Sequence, residues 1–436
     1  MPNKTKVPVV PKQLIGSFIL ITSLFALWGF ANAVTDPMVQ AFKKVLELTN
    51  SESAWVQMAF YGGYFCMALP ASYFIQKYSY KTGILIGLGL YALGALLFYP
   101  AATYQEFWFF CLGLYILTFG LAFLETTANP YILAMGSKET ATQRLNLAQA
   151  FNPLGLVLGL LVAKYFVLKN LQSDSIDNFA GLEEAKKALI RASDLIVIRN
   201  PYVILGLVVL LFFVLILLFK MPQIKGEEGL SFKETFVMLL KKKKYTLGVL
   251  SQVLYVGGQI MCWTYIYQYA ESKGISNSIA ANYQFFAFII FLVGRAIGTY
   301  LLSFINSGKL LMIFSIGAVI CMLITIGNSG ITGMYSLVAA SLFMSVMFPT
   351  IYGIALEGLN EEESKIGAAG LVMAIVGGAI MPKMQGMIID IGGSGVNDSQ
   401  IFGISEVNIS FILPLICFFF IALYGKWITV RFNKTT

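Results

Sequence analysis

Charge-free runs of membrane-crossing length recur along the chain, and about 20 apolar residues in a helix suffice to cross roughly 30 Å of hydrocarbon. Asp, Glu, Lys and Arg are absent from residues 13–35, 53–76, 82–105, 145–163, 200–219, 245–270, 274–294, 366–382 and 407–425. Residues 107–137 hold a single acid, Glu125. The run 310–356 extends for 47 residues without a charge, too long for one crossing, and the turn signal Gly327-Asn328-Ser329-Gly330 divides it in two. The pattern predicts an all-α membrane protein with twelve transmembrane helices.

Two longer polar breaks organise these spans. Residues 171–199, predicted to lie outside between spans five and six, contain the charge-rich helical stretch GLEEAKKALIRA. Residues 221–245 place Ser231 and Glu234 at capping-box spacing ahead of Lys241 to Lys244, which predicts an inside linker with an interfacial helix. The chain therefore reads as an N-terminal six-helix half, 1–220, a cytoplasmic linker, 221–245, and a C-terminal six-helix half, 246–436. The first run is too long for a signal h-region, lacks a small-residue cleavage pattern and leads into another span, so it reads as a retained helix.

Composition fits that reading. Of 436 residues 58% are hydrophobic and 12% charged, against about 25% charged in an ordinary soluble domain. This excludes a disordered chain, a collagen, a disulfide-stapled secreted domain and a typical cytosolic enzyme. The net charge of +8 prompts the question of nucleic acid, but the 30 Lys and Arg sit mostly in the breaks between spans. With both termini inside, inside segments hold 19 of them and outside loops 8, as the positive-inside rule requires of a cytoplasmic N-terminus. The five Cys stand singly within apolar runs and His is absent, so neither a metal site nor a disulfide framework is expected. No GxxxxGK[ST] nucleotide cradle occurs, so no nucleotide partner is expected either.

An acid inside a span costs about 3 kcal/mol at the bilayer centre and is a functional candidate by default. Asp36 and Glu125 qualify. Trp28, Asn32 and Asp36, four residues apart, share one helix face that offers an aromatic plate, an amide and a carboxylate. Alternatively, Asp36 caps the outer helix end ahead of Pro37. Glu125 lies eighteen residues into its span, with Asn129 one turn on; proton coupling and a structural hydrogen-bonding acid are its two readings. Asn146, Gln149 and Asn152 form a polar stripe on span five, facing a cavity or bonding a neighbouring helix. In the second half Gln259, Trp263 and Tyr267 repeat the spacing of four on span seven, and Asn282 and Gln284 open span eight. Aromatic faces beside amides suit a neutral polyhydroxylated ligand, although such stripes also occur as packing. Arg295 and Lys383 are basic groups in or near spans eight and eleven, placed for gating or charge pairing or for snorkelling to the interface. Transport without ATP needs a coupling ion, and in a chain without His the carboxyls are the groups left to carry a proton.

The two halves echo each other weakly, with Pro130 in ANPYI on span four and Pro349 in FPTIY on span ten, the layout of major-facilitator transporters. The segments FALWGFANAVTDP, GLAFLETTANPYI, RLNLAQAFNPLG, LSQVLYVGGQIMCWTYIYQYA, GRAIGT and FMSVMFPTIY make the chain resemble the fucose permease family of the major facilitator superfamily, sugar:proton symporters. The resemblance covers essentially all twelve spans and implies the major-facilitator fold. It also implies sugar recognition and proton coupling at Asp36, the principal protonation site at Glu125, cavity-facing Gln149 and Asn152, and aromatic contacts at Trp28 and Trp263. One departure stands out: Ala33 replaces a second Asn that the family often carries after Asn32. Gln76-Lys77 stands where many facilitators have the Asp of GxxxD[RK], as in the permeases the chain resembles.

The expectation is a transporter and not an enzyme. It imports a neutral hexose, L-fucose first among them, with H+ as coupling ion and no cofactor, as a monomer in the inner membrane of a bacterium with both termini cytoplasmic. Glucose, galactose or another hexose is the alternative cargo, ahead of a drug exporter or a membrane-embedded sensor or enzyme.

Overall fold

A computed structural model describes residues 7–47, 50–173, 176, 181–219, 221, 232–275, 277–328, 330–389, 391 and 399–432. Helices account for nearly all of them. In chain order these are α1 (Ile15–Val45), α2 (Asn50–Lys77), α3 (Tyr80–Tyr104), α4 (Phe107–Ala134), α5 (Lys138–Val167), α6 (Glu184–Leu218), α7 (Phe232–Lys241), α8 (Lys243–Thr264), α9 (Asn277–Leu301), α10 (Ser307–Gly327), α11 (Ile331–Leu356), α12 (Glu363–Ile389) and α13 (Glu406–Arg431). Among the described residues ten helices are long and apolar enough to cross a membrane, and α2 and α8 occupy the positions of the two remaining predicted spans. The predicted division of the long apolar run holds: α10 stops at Gly327 and α11 starts at Ile331. The one sheet among the described residues is a hairpin pairing Gln400–Ile401 with Ile404–Ser405. Its turn places Phe402 (φ 55°) and Gly403 (φ 77°) in the left-handed region that a two-residue type I′ loop requires.

The charged stretch expected as a separate helical piece within loop 171–199 is instead the beginning of α6, which runs unbroken from Glu184 through Pro201 to Leu218. No helix breaker separates its charged turns from its apolar ones until Pro201, which the helix absorbs. The remainder of the loop is tied to it: Asp194, fully buried, accepts from the backbone N–H groups of Gln172 and Ser173, each at 2.9 Å. Toward its far end α6 exposes Ile204, Leu207, Leu211 and Leu218, a surface suited to lipid.

The helices form two compact units. The first comprises Gln13–Tyr131 and Phe151–Lys225. Within it α1 and the second part of α5 cross at near backbone contact, because a Cβ on Gly155 would overlap the Ala26 carbonyl oxygen and one on Gly29 the Asn152 carbonyl oxygen. Such close approach through small residues is how membrane helices gain packing without a hydrophobic driving force. Phe98 on α3 stacks on Tyr202 of α6 at 3.8 Å, and Lys81 donates to the carbonyls of Leu217 and Phe219, closing the last turn of α6.

The second unit comprises Met1–Lys12, Ile132–Ala150 and Gly226–Thr436. Here the first part of α5 packs on later helices: Gln143 Nε2 donates to Ser303 Oγ at 2.6 Å, and Asn146 Nδ2 to Thr350 Oγ1 at 3.3 Å. A capping box of Asn360 and Glu363 starts the helical turns leading into α12. Two of the four consecutive lysines are engaged there, Lys242 with Glu363 at 2.9 Å and Lys244 with Glu357.

Candidate functional site

In the first unit the polar residues gather around Glu125. It is mid-helix on α4, about nine-tenths buried, beside the Tyr64 hydroxyl of α2. Its Oε2 has no hydrogen-bond partner among the described residues. Trp28, 2% exposed, sits beside the Tyr64 hydroxyl with its ring nitrogen making no well-formed hydrogen bond, and its ring leans on Phe25 at 4.9 Å. Asn32 and Asn129 donate back to the carbonyls one turn earlier, Trp28 O at 3.2 Å and Glu125 O at 3.1 Å. Asn152 reaches from α5 to the Phe25 carbonyl of α1 at 3.3 Å, a bond made possible by the glycine crossing one turn away. Asp36 lies inside α1, which continues to Val45, so its position is not a helix end; its side chain is outside the described residues. A buried carboxyl with an open oxygen can hold a proton or accept from a ligand hydroxyl.

Gln149 and Asn152 flank an interruption. The helical turns of α5 stop at Gln149 and resume at Asn152. Pro153 has no N–H to give the Gln149 carbonyl, and in the second unit Arg295 takes it. Arg295 Nη1 donates to both the main-chain carbonyl and Oε1 of Gln149, each at 3.4 Å. The guanidinium is 3% exposed, lies 5.2 Å from the Phe291 ring centre and leaves Nε without a partner. No carboxylate pairs with it among the described residues. Lys383, the other basic candidate, is exposed on α12, as a snorkelling side chain would be.

Also in the second unit, Trp263 donates its ring N–H to Ser341 Oγ at 3.2 Å and meets the edges of Phe288 and Phe291 at 4.8 and 5.1 Å. Tyr267 donates to Gln284 Oε1 at 2.6 Å. Gln259 is half-buried and Asn282 exposed. Thus Trp263 and Tyr267 are braced by neighbours, whereas Gln259 makes no side-chain hydrogen bond among the described residues.

Sequence reasoning missed Tyr64, one of 22 tyrosines, whose pairing with a buried acid on another helix has no local signal beyond an aromatic between two small-residue turns. It also counted Arg144 as an inside loop charge. Arg144 is fully buried. Its guanidinium collects the carbonyls of Ile132 (2.7 Å), Leu133, Ser137 (3.3 Å) and Val9 (3.0 Å), so it caps the C-terminus of the helix that carries Glu125.

Comparison with known proteins places this arrangement. The family model described as Major Facilitator Superfamily matches residues 15–382. An L-fucose-proton symporter of Haemophilus influenzae is 55% identical over 424 residues, covering 96% of this chain and 97% of that protein. A glucose/galactose transporter of Brucella abortus is 32% identical over 408 residues, 93% and 92% of the two chains. The solved structure of a variant of the Escherichia coli fucose:proton symporter superposes with a TM-score of 0.84 at 32% identity, covering 95% of this chain and 98% of that one. On the family match and on identity sustained almost end to end, the chain belongs to the fucose permease family of the Major Facilitator Superfamily, a family of transporters and not of enzymes.

Proposed function

We propose that this protein imports L-fucose together with a proton across the inner membrane of a bacterium by alternating access. The observation that carries the reading is the end-to-end likeness to an L-fucose-proton symporter, in a chain whose mid-helix acid, Glu125, is buried against Tyr64. On this reading twelve spans form two six-helix halves, 1–220 and 246–436, joined by a cytoplasmic linker, 221–245, with both termini cytoplasmic and the monomer as the working unit. Glu125 carries the proton and Asp36 couples it to the sugar. Trp28, Asn32, Asn129, Gln149 and Asn152 supply sugar contacts from the N-terminal half, and Gln259, Trp263, Tyr267 and Asn282 from the C-terminal half. Arg295 holds Gln149 as a gate; Lys383 anchors at the interface.

The energetics suffice for one proton per sugar. A membrane potential of about 150 mV supplies roughly 3.5 kcal/mol per proton, and one pH unit adds about 1.4 kcal/mol. Together they sustain a gradient above about a thousandfold. The second reading, a glucose or galactose carrier, draws on the Brucella abortus relative. Counterflow in proteoliposomes with a panel of labelled hexoses tests both. L-fucose is expected to exchange fastest and to accumulate when a pH gradient is imposed. Exchange of D-glucose or D-galactose without L-fucose reassigns the cargo, and L-fucose accumulation indifferent to the proton gradient removes the coupling.

A further inference from the structure

Past Thr35, α1 continues to Val45, and this stretch, which carries Asp36, is gripped at both ends by one helix, α6. At the near end the buried Thr35 hydroxyl donates to the Ala31 carbonyl at 2.8 Å, so it is the Tyr202 hydroxyl that donates to Thr35 Oγ1, at 3.3 Å. At the far end Arg191 Nε donates to the Val45 carbonyl at 3.4 Å, and the Glu47 carboxylate just beyond takes Arg191 Nη2 at 3.0 Å and Lys187 Nζ at 3.3 Å. Lys187 also pairs with Glu184 at 3.2 Å. The two grips match in spacing. Thr35 to Val45 rises about 15 Å and Tyr202 to Arg191 about 16 Å, as two antiparallel helices side by side require. Between the grips α6 is itself braced, since fully buried Asp194 holds the N–H groups of Gln172 and Ser173, and at one of them Tyr202 is stacked on Phe98.

Glu47 is an unexpected residue for its place. Two residues past the end of α1, where helices commonly finish in left-handed backbone, its φ is 53°, a conformation that glycine adopts freely and a Cβ resists. Ion pairs between partly exposed side chains add little to stability, so the clasp does not offset that strain as a stabiliser. What it fixes is geometry. We propose that Glu47, Lys187, Arg191 and Tyr202 are positioning residues for coupling, through which α6 splints the 35–45 stretch of α1 and holds Asp36 in register with the proton and the sugar. The proposal rests on the reading of Asp36 as the group that couples the two. One grip leaves a helical segment free to bend and turn, and its last carbonyls free to fray; two separated grips remove both freedoms. A carboxyl that must serve a proton and a sugar in turn has to be placed to within about 0.5 Å, and its own helix does not supply that beyond Thr35.

Two double variants of the full chain release both grips from opposite sides: Glu47→Gly/Tyr202→Phe from α1 and α6, and Arg191→Gln/Tyr202→Phe from α6 alone. Glycine relieves the left-handed backbone at position 47, and Phe keeps the ring on Phe98, so neither change threatens folding. Wild type and Asp36→Asn are measured beside them. Three quantities are read: Tm, L-fucose counterflow in proteoliposomes, and L-fucose accumulation under an imposed pH gradient. Each double variant is expected to keep Tm within a few degrees and counterflow within about twofold, and to lose about tenfold in accumulation, the factor for one net hydrogen bond. Accumulation at the wild-type level in either double variant overturns the splint. Tm, counterflow and accumulation that fall together overturn it as well, since these contacts would then be struts of the fold. Asp36→Asn that accumulates L-fucose like wild type removes the coupling reading of Asp36 on that variant's own evidence, whatever the double variants do, and the proposal with it.

Discussion

Glu125 joins mid-helix position, burial and an unpartnered carboxyl oxygen among the described residues, which is what a group that must gain and lose a proton during a cycle needs. Glu125→Gln keeps the size and a hydrogen-bonding oxygen while fixing a neutral side chain, so sugar-for-sugar counterflow is expected within about threefold of wild type, less than the tenfold of one net hydrogen bond. Uphill, proton-driven accumulation is expected to vanish, and accumulation that survives in the mutant moves the proton to Asp36. Trp263 invites a gentler change, because its ring N–H is spent on Ser341 and its edges on two Phe rings, and truncation to Ala would cost about 3–5 kcal/mol of packing. Trp263→Phe is expected to leave Tm within a few degrees and to weaken L-fucose binding severalfold; unchanged binding assigns the ring to packing. Glu125, Gln149 and Asn152 were legible because a polar residue in an apolar run stands out at once. Tyr64 was not. A tyrosine on a membrane helix is ambiguous until its neighbours across the bundle are known.

Elements that position the site do so through backbone contacts that local sequence barely marks. Gly155→Ala sets a methyl group against the Ala26 carbonyl oxygen, with backbone on both sides, so α1 and α5 must separate and carry Trp28 and Asn152 apart. A cost of about 1–3 kcal/mol is expected, read as a lower Tm and slower counterflow. Gly327→Ala, where nothing lies within 4 Å of the added atom, is the control and is expected to change stability by no more than about 0.5 kcal/mol. If both glycines tolerate Ala equally, the crossing is looser than its geometry implies. Pro153 acts at the same scale. By withholding an N–H it frees the Gln149 carbonyl for Arg295, so Pro153→Ala offers that carbonyl a helical donor and is expected to slow counterflow several-fold with no loss of Tm. Spans and their breaks were readable because charge-free length and turn residues mark them directly. The fusion of the charged 184–199 turns to α6 was not, since a helical charged stretch and an adjoining apolar one look alike whether or not a bend separates them. Arg144 is the counterpart at a helix end: its role depends on four carbonyls that converge only after α4 has stopped and the chain has turned back.

For the whole molecule, chain order predicts two halves, whereas Ile132–Ala150 packs with the later helices, through Gln143, Asn146 and Gln149. Which end of a span leaves its sequence neighbours depends on side-chain partners hundreds of residues away, and hydropathy carries no trace of it. Orientation, by contrast, is an expectation from charge: 19 basic residues fall in the segments assigned inside and 8 in those assigned outside, a bias of the kind that directs insertion. The structure supplies reporters for both faces. Phe402, at the tip of the 400–405 hairpin, is 96% exposed, and Tyr78, between α2 and α3, is 51% exposed. In a Cys66→Ser background, which removes the exposed native thiol, Phe402→Cys is expected to react with a membrane-impermeant maleimide in intact spheroplasts. Tyr78→Cys should react only after the membrane is opened. Neither substitution touches the groups assigned to sugar or proton, so uptake should persist and labelling can be read on active protein. The reverse pattern would put both termini outside. Labelling of both sites from the same face would break the odd number of crossings between them and with it the twelve-span arrangement.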